Sequence, residues 1–174
     1  MQKEIRICGF GGQGIVLAGV VLGEAAIQAG YWAVQTQSYG PEARGGAARS
    51  EVVISSEPVD YPRVQEADVL VALSQPGYDK FGRGLADGGI VIVEQDLVEA
   101  AGARAVPFAR TAEKLGRKIV GNIVMLGYVS ALLDLFPPEV LTEAVLRNVP
   151  AGTEDLNRRA VVAGRELFTA GAQS

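Results

Sequence analysis

The sequence predicts an α/β fold: an open, mostly parallel sheet with flanking helices and extra helices at the C-terminal end, formed as a single domain over residues 1–174. Three observations carry that prediction. A strand-like run ends in Gly9-Phe10-Gly11-Gly12-Gln13-Gly14 and passes at once into an Ala/Val/Leu-rich segment. Strand, glycine turn and helix in that order open a βαβ-type unit. DVLVAL at residues 68–73, apolar after its first residue, and IVIV at 90–93 are apolar runs, as expected of strands covered on both faces of a parallel sheet. Beyond residue 120 the pattern is helical, broken once by Pro137 and Pro138.

Residues 3–8 alternate charged and apolar side chains and read as the first strand. From 13 to about 29, Ile15, Val16, Leu17, Val20, Val21, Ala25 and Ile27 recur at helical spacing, with Gly30 as the stop. Residues 31–37 read as a second strand, completing the first half of a parallel βαβ-type sheet. SYGPEARGGAA at 38–48 has no apolar period and is a loop. Residues 49–55, β-branched at Val52, Val53 and Ile54, form a third strand, and 57–64, with Pro58 and Pro62, a connection. Between the two apolar strands, 75–84 makes a short helix or turn with Tyr78 and Phe81 facing inward.

A short edge strand is expected at 105–107 and a helical turn at 111–116. The helix at 121–135 is apolar nearly all round, so it needs cover on more than one side, from the chain's own core or from a partner. A helix at 139–147 follows the prolines, and Thr153 caps the last one, with Glu154 and Asp155 near its positive end. The sum is a Rossmann-like open sheet without internal repeats.

Composition excludes several classes. One cysteine, Cys8, and no histidine rule out an iron-sulfur cluster, an ordinary zinc site, a disulfide and a histidine-based triad within this chain. Sixteen basic against twenty acidic residues give a net charge of -4, without the concentrated basic surface of a nucleic-acid binder. The stretch 119–136 is interrupted by Asn122, Ser130 and Asp134, which suits a buried helix better than a membrane span. The chain opens Met-Gln-Lys-Glu without a basic leader and apolar signal core, so the expected location is the cytoplasm.

Gly9 to Gly14 satisfies G-x-G-x-x-G, whose glycines let backbone N–H groups approach a phosphate at a helix start. A dinucleotide site places a carboxylate about 20 residues on, against the ribose. Here Val34-Gln35-Thr36-Gln37 occupies that place, which disfavours NAD and FAD. No lysine follows Gly14 until Lys80, so a P-loop is excluded. The alternative is that the glycines only make a tight strand-to-helix turn.

The loop at 38–48 leaves the second strand at the same sheet edge as the glycine turn, where open α/β sheets bind ligands. Arg44 offers a fork of donors suited to phosphate, and Gly45 and Gly46 admit a close backbone or partner surface. Read alone, Arg44 is equally a solvated cation and Tyr39 a packing residue. The titratable groups at this edge are Glu42, Glu94, Asp96, Tyr39 and Cys8; none forms a catalytic pair by spacing, and Cys8 reads as a buried, inert thiol.

Two segments taken together carry a resemblance. GFGGQG at 9–14 with its Ala-rich helix, then SYGPEARGG at 38–46 feeding a strand that ends Ile54-Ser55, resembles the gamma subunit, or gamma-type domain, of 2-oxoacid:ferredoxin oxidoreductases of the pyruvate, 2-oxoglutarate and 2-ketoisovalerate class. The similarity continues through DVLVA at 68–72 and GNIVMLG at 121–127, to about residue 135. It implies a non-catalytic part of a larger enzyme that decarboxylates a 2-oxoacid with coenzyme A to an acyl-CoA and passes electrons to ferredoxin. Thiamine diphosphate, magnesium and iron-sulfur clusters are then expected on partner subunits: alpha and beta, with delta as a further candidate. Neither nucleic acid nor membrane is an expected partner.

The resemblance also implies that the chain packs on the thiamine-binding subunits and helps form the coenzyme A region. Carried onto this sequence, the candidate site is Gly11, Gly12, Gln13, Gly14, Tyr39, Arg44, Gly45 and Gly46, with no catalytic residue and no metal ligand. Coenzyme A at a shared site and a ligand-free docking loop remain two compatible readings. A free-standing Rossmann-like nucleotide or NAD(P)-binding protein is the alternative from another class. The sequence leaves open the 2-oxoacid, the stoichiometry and any activity of the isolated chain.

Overall fold

The computed structural model describes residues 1–38 and 46–172. Tyr39, Glu42, Arg44 and Gly45, named above, lie outside the described residues. Six strands, β1 (Gln2–Phe10), β2 (Trp32–Gln37), β3 (Ala47–Ser55), β4 (Ala67–Ala72), β5 (Leu85–Glu94) and β6 (Arg104–Val106), form one sheet in the order β2-β3-β1-β4-β5-β6. The helices are α1 (Ile15–Gln28), α2 (Gln75–Phe81), α3 (Phe108–Lys114), α4 (Gly121–Leu133), α5 (Pro138–Asn148) and α6 (Glu154–Gly171).

The parallel half follows expectation: β1 pairs with β4, β4 with β5 and β5 with β6, all parallel. The other half corrects it. β1 and β2 are not neighbours, because β3 lies between them and runs antiparallel to both, with Ile5 opposite Val52 and Thr36 opposite Glu51. The physical reason is loop length. A parallel return needs a crossover of about a dozen residues or more, and β2 ends at Gln37 while β3 begins at Ala47. A hairpin is the available solution. β2 still points the same way as β1, so both end at the same sheet edge.

Alternation along β1 separates two layers. Ile5 and Ile7 face α1 and α4 in the larger core, while Cys8 faces the smaller one with Leu70, Phe81 and Val93. Arg6 shares the Cys8 face, and there the structure departs from the solvated face that an alternating strand suggests. It is buried: Nε donates to Glu51 Oε1 at 2.7 Å, and the guanidinium also donates to the carbonyls of Phe81, Arg83 and Val64. A buried arginine is tolerated because its donors are satisfied; removing either partner of such a pair costs about 3–5 kcal/mol.

The helix α4 is buried from Asn122 to Ser130. Its cover comes from inside the chain, from α6 above all, with α3, α5 and α1, so its apolar circumference needs no partner subunit. The α4–α6 seam closes on glycines. A Cβ on Gly127 would strike the Val161 carbonyl, and one on Gly164 the Val124 carbonyl. Phe108, Tyr128 and Phe168 continue the seam as edge-on rings 5.8 and 5.5 Å apart.

Thr153 stands at the start of α6, but its hydroxyl does not cap the helix. It donates to the Pro150 carbonyl at 2.6 Å and accepts from Asn157 Nδ2 at 3.0 Å. The preceding proline turn takes the hydroxyl, while Glu154 and Asp155 still occupy the first turn.

Candidate functional site at the glycine turn

From β1 the chain reaches β2 through α1 on one face of the sheet, and from β4 it reaches β5 through α2 on the other. The crevice beyond the carboxyl ends of β1 and β4 is therefore the switch point at which open sheets hold ligands. The glycine turn forms one side of it.

The glycines divide by task. Gly9 is a packing residue: a Cβ there would lie 2.6 Å from Gln13 Oε1 and 2.7 Å from Ile15 Cδ1, and Gly77 of α2 presses on its backbone. Gly14 is another, since a Cβ would collide with the Asn122 amide, and its φ of 72° is itself left-handed. Gly11 and Gly12 are different. Both are exposed, a Cβ on either would meet nothing within 4 Å, and Gly12 has φ 90°.

Gln13 braces the turn. Its backbone N–H donates to the Phe10 carbonyl at 3.2 Å, its Oε1 accepts from the Phe10 N–H at 2.6 Å, and its Nε2 donates to the Leu73 carbonyl at 2.9 Å. Its carboxamide is thus committed to tying the turn to the end of β4. Gly11 N–H donates to the Gly46 carbonyl at 2.8 Å, joining the turn to the end of the SYGPEARGG loop. Of that loop, Gly46 thus lies beside the turn.

Among the described residues, the amides of Gly12 and Gly14 have no hydrogen-bond partner. The α1 helix that follows has no side-chain cap and no acidic residue in its first turn. N–H groups without a partner among the described residues, at an uncapped helix start, constitute a local positive end beside the crevice.

Two cavities open beside Gly12. The larger, about 350 Å³, is walled by Leu73, Phe108 and Ile119, with Glu94 and Lys118 as its charged members. The smaller, about 270 Å³, lies toward Leu17, Arg117, Val149 and Asn157. Asn122, at the start of α4, borders both and donates through Nδ2 to the Gly14 carbonyl at 3.4 Å. Phe10, Val16, Leu97 and Ile119 are exposed apolar side chains around this edge.

Of the titratable candidates, Cys8 is fully buried and its thiol is pushed up to about 12 by desolvation, with Arg6 and Arg49 opposing. Its Sγ donates toward the Val71 carbonyl at 3.4 Å, as an inert core residue. Asp96 is paired with Arg110. Glu94 is the one that sequence reasoning placed at this edge without a role. It is 3% exposed, Oε2 accepts from the Ala109 N–H at 2.9 Å, and Oε1 has no partner among the described residues. Burial raises its pKa above the ordinary carboxylate value, while the amides of Ala109 and Asp96 oppose the shift. In the sequence Asn122 stands only as a polar interruption of an apolar helix, not as a site residue.

Fold and crevice define a class: a doubly wound α/β unit that presents a glycine turn and an uncapped helix start at its switch point. The particular family follows from similarity to known proteins. The family described as pyruvate ferredoxin/flavodoxin oxidoreductase matches residues 4–167. The 2-oxoglutarate synthase subunit KorC of Methanocaldococcus jannaschii is 50% identical over 176 residues, covering 96% of this chain and 94% of that protein. The ketoisovalerate oxidoreductase subunit VorA of Methanothermobacter thermautotrophicus is 41% identical over 173 residues, which is 95% of this chain and 36% of VorA. The crystal structure of a keto/oxoacid ferredoxin oxidoreductase gamma subunit from Geobacter sulfurreducens superposes with a TM-score of 0.86 at 44% identity, covering 98% of both chains. The chain belongs to the pyruvate ferredoxin/flavodoxin oxidoreductase family, as a gamma-type subunit of a 2-oxoacid:ferredoxin oxidoreductase. The match reaches beyond residue 135, so α5 and most of α6 belong to the family unit as well.

Proposed function

We propose that this chain, a single domain over residues 1–174, supplies one wall of a coenzyme A site completed by partner subunits, and that the redox and decarboxylation chemistry resides on those partners. The observation that supports the reading is the pair of amides at Gly12 and Gly14 that have no partner among the described residues, set at an uncapped helix start and tied through Gly11 to Gly46. Phosphates are the ligand groups that such donors suit. In this reading Tyr39, Arg44, Gly45 and Gly46 are further ligand-binding residues, with Arg44 serving a phosphate. Gln13 holds the turn and also lines the larger cavity, so it serves the site in both ways in this reading.

The exposed Phe10, Val16, Leu97 and Ile119 are the docking rim for the thiamine-binding alpha and beta subunits, and delta where present. Thiamine diphosphate, magnesium and the iron-sulfur clusters then sit on those subunits, which deliver electrons to ferredoxin. The single thiol of this chain is buried and protonated, and no group of three or more His, Cys, Asp or Glu side chains suited to a metal occurs among the described residues. No helix among the described residues is long and apolar enough to cross a membrane, and we place the complex in the cytoplasm. The greater identity to KorC than to VorA favours 2-oxoglutarate as the 2-oxoacid.

The test is kinetic, on the enzyme assembled with its own partners. Arg44→Ala is expected to raise the KM for coenzyme A while the KM for 2-oxoglutarate stays within about twofold. An unchanged coenzyme A KM refutes the site. Loss of assembly instead supports the second reading, in which Arg44 pairs with a partner carboxylate and the loop only docks.

A further inference from the structure

The larger cavity has a polar group that the glycine turn does not explain. Glu94 lies at the end of β5, 3% exposed, among Leu73, Phe108 and Ile119 on the cavity wall. One carboxylate oxygen is held by the Ala109 N–H at the start of α3, which fixes the orientation of the group. The other, Oε1, is buried and has no hydrogen-bond partner among the described residues, with the Asp96 amide and the Lys118 charge as its nearest compensation. A buried acceptor left unpaired carries the full desolvation penalty, so such an atom marks a missing donor.

Gly12, a hydrogen-bond donor, and Glu94, an acceptor, both line the cavity, with Leu73, Phe108 and Ile119 as apolar wall and Lys118 as a cation on the same wall. A complementary ligand combines an acceptor or anion for Gly12 and Lys118, an apolar body, and an N–H for Glu94. A volume of about 350 Å³ accommodates a body of nucleobase size or an amide-bearing alkyl arm.

Resting on the coenzyme A reading, we propose that Glu94 is a ligand-recognition residue whose Oε1 accepts a hydrogen bond from an N–H of the coenzyme held in this cavity. Coenzyme A carries such a group in two places: the exocyclic amine of its adenine and the amides of its pantetheine arm. Both are neutral N–H donors, and the carboxylate selects for that chemistry against a carbonyl of the same shape.

Glu94→Gln tests this sharply. The Ala109 N–H continues to demand an acceptor, so the glutamine turns its carbonyl toward Ala109 and its NH2 toward the cavity, converting the site from acceptor to donor. In the assembled enzyme the KM for coenzyme A is expected to rise about tenfold or more, with kcat within about twofold. With the coenzyme A analogue in which hypoxanthine replaces adenine, the same variant is expected to bind better than wild type if the adenine amine is the partner. If an amide of the arm is the partner, both coenzymes weaken equally.

A coenzyme A KM unchanged in Glu94→Gln overturns the proposal. If Arg44→Ala raises that KM at the same time, the coenzyme A site stands and only the role of Glu94 falls; if neither variant moves it, both fall. Should the variant not assemble, hydrogen exchange on the wild-type complex decides. Coenzyme A is expected to slow exchange at the Ala109 amide and the segment around Leu97, and equal exchange with and without it overturns the proposal.

Discussion

The glycine turn and the α4–α6 seam are both rich in glycine, for opposite reasons. At the seam, Gly127 and Gly164 are small because a neighbouring backbone occupies the place of the missing side chain. At the turn, Gly11 and Gly12 face open space, and what lies beyond them is solvent or a ligand. The same residue type thus serves packing in one region and access in the other. Substitutions ought to separate the two: stability should respond at the seam and ligand affinity at the turn.

The largest effect is expected from Gly164→Val. Its Cβ meets the Val124 carbonyl, and backbone cannot step aside as a side chain can. A cost of about 3 kcal/mol or more is expected, read as a fall in Tm of roughly 6–12 °C. Gly14→Ala is intermediate, because it adds left-handed strain and displaces the Asn122 side chain, which can move. About 1–3 kcal/mol is expected in denaturant unfolding. An unaltered midpoint would assign Gly14 to the open class.

Cys8 gives a smaller, pH-bound effect. Its folded pKa of about 12 lies above the reference 9.0, so the native state holds the proton more tightly. The stability associated with this group is complete below pH 9 and is lost as pH rises toward 12. Cys8→Ala is expected to flatten that alkaline limb in a pH series of urea melts. Thiol reagents should label the native wild type only at its unfolding rate. The smallest stability effect is expected from Gly11→Ala, within about 0.5 kcal/mol by the same melts. In the assembled enzyme it should nonetheless raise the coenzyme A KM, and a KM equal to wild type would place Gly11 outside the ligand's reach.

Periodicity made most of this fold legible. The apolar runs around Val71 and Ile92 are central parallel strands, and the helix stop at Gly30 is where the chain turns. What periodicity could not give was direction. Strand β3 looks the same whether it pairs parallel or antiparallel; only the short connection before Ala47 decides, and that length constraint was legible too. The buried Arg6 escaped because charge alternation along a strand does not reveal what covers the polar face. At the site, glycine spacing marked the turn but could not divide Gly9 and Gly14 from Gly11 and Gly12. That division depends on Ile15, Gly77 and Asn122, and Gly77 and Asn122 are distant in sequence. Glu94 was visible only as one carboxylate among several, since an unpaired oxygen is a property of three-dimensional surroundings.

The insertion of β3 beside β1 has a consequence during synthesis. Of the six strands, β1 precedes the others in the chain and lies inside the sheet, and both its neighbours, β3 and β4, come later, starting at Ala47 and Ala67. At a translation rate of roughly 5–20 residues per second, the roughly 60 residues that complete β4 take about 3–12 seconds to emerge. For that interval β1 has an unfilled edge. The β2–β3 hairpin, whose pairing is local, is the first piece able to close one side. It gives the nascent sheet early protection against association with other chains.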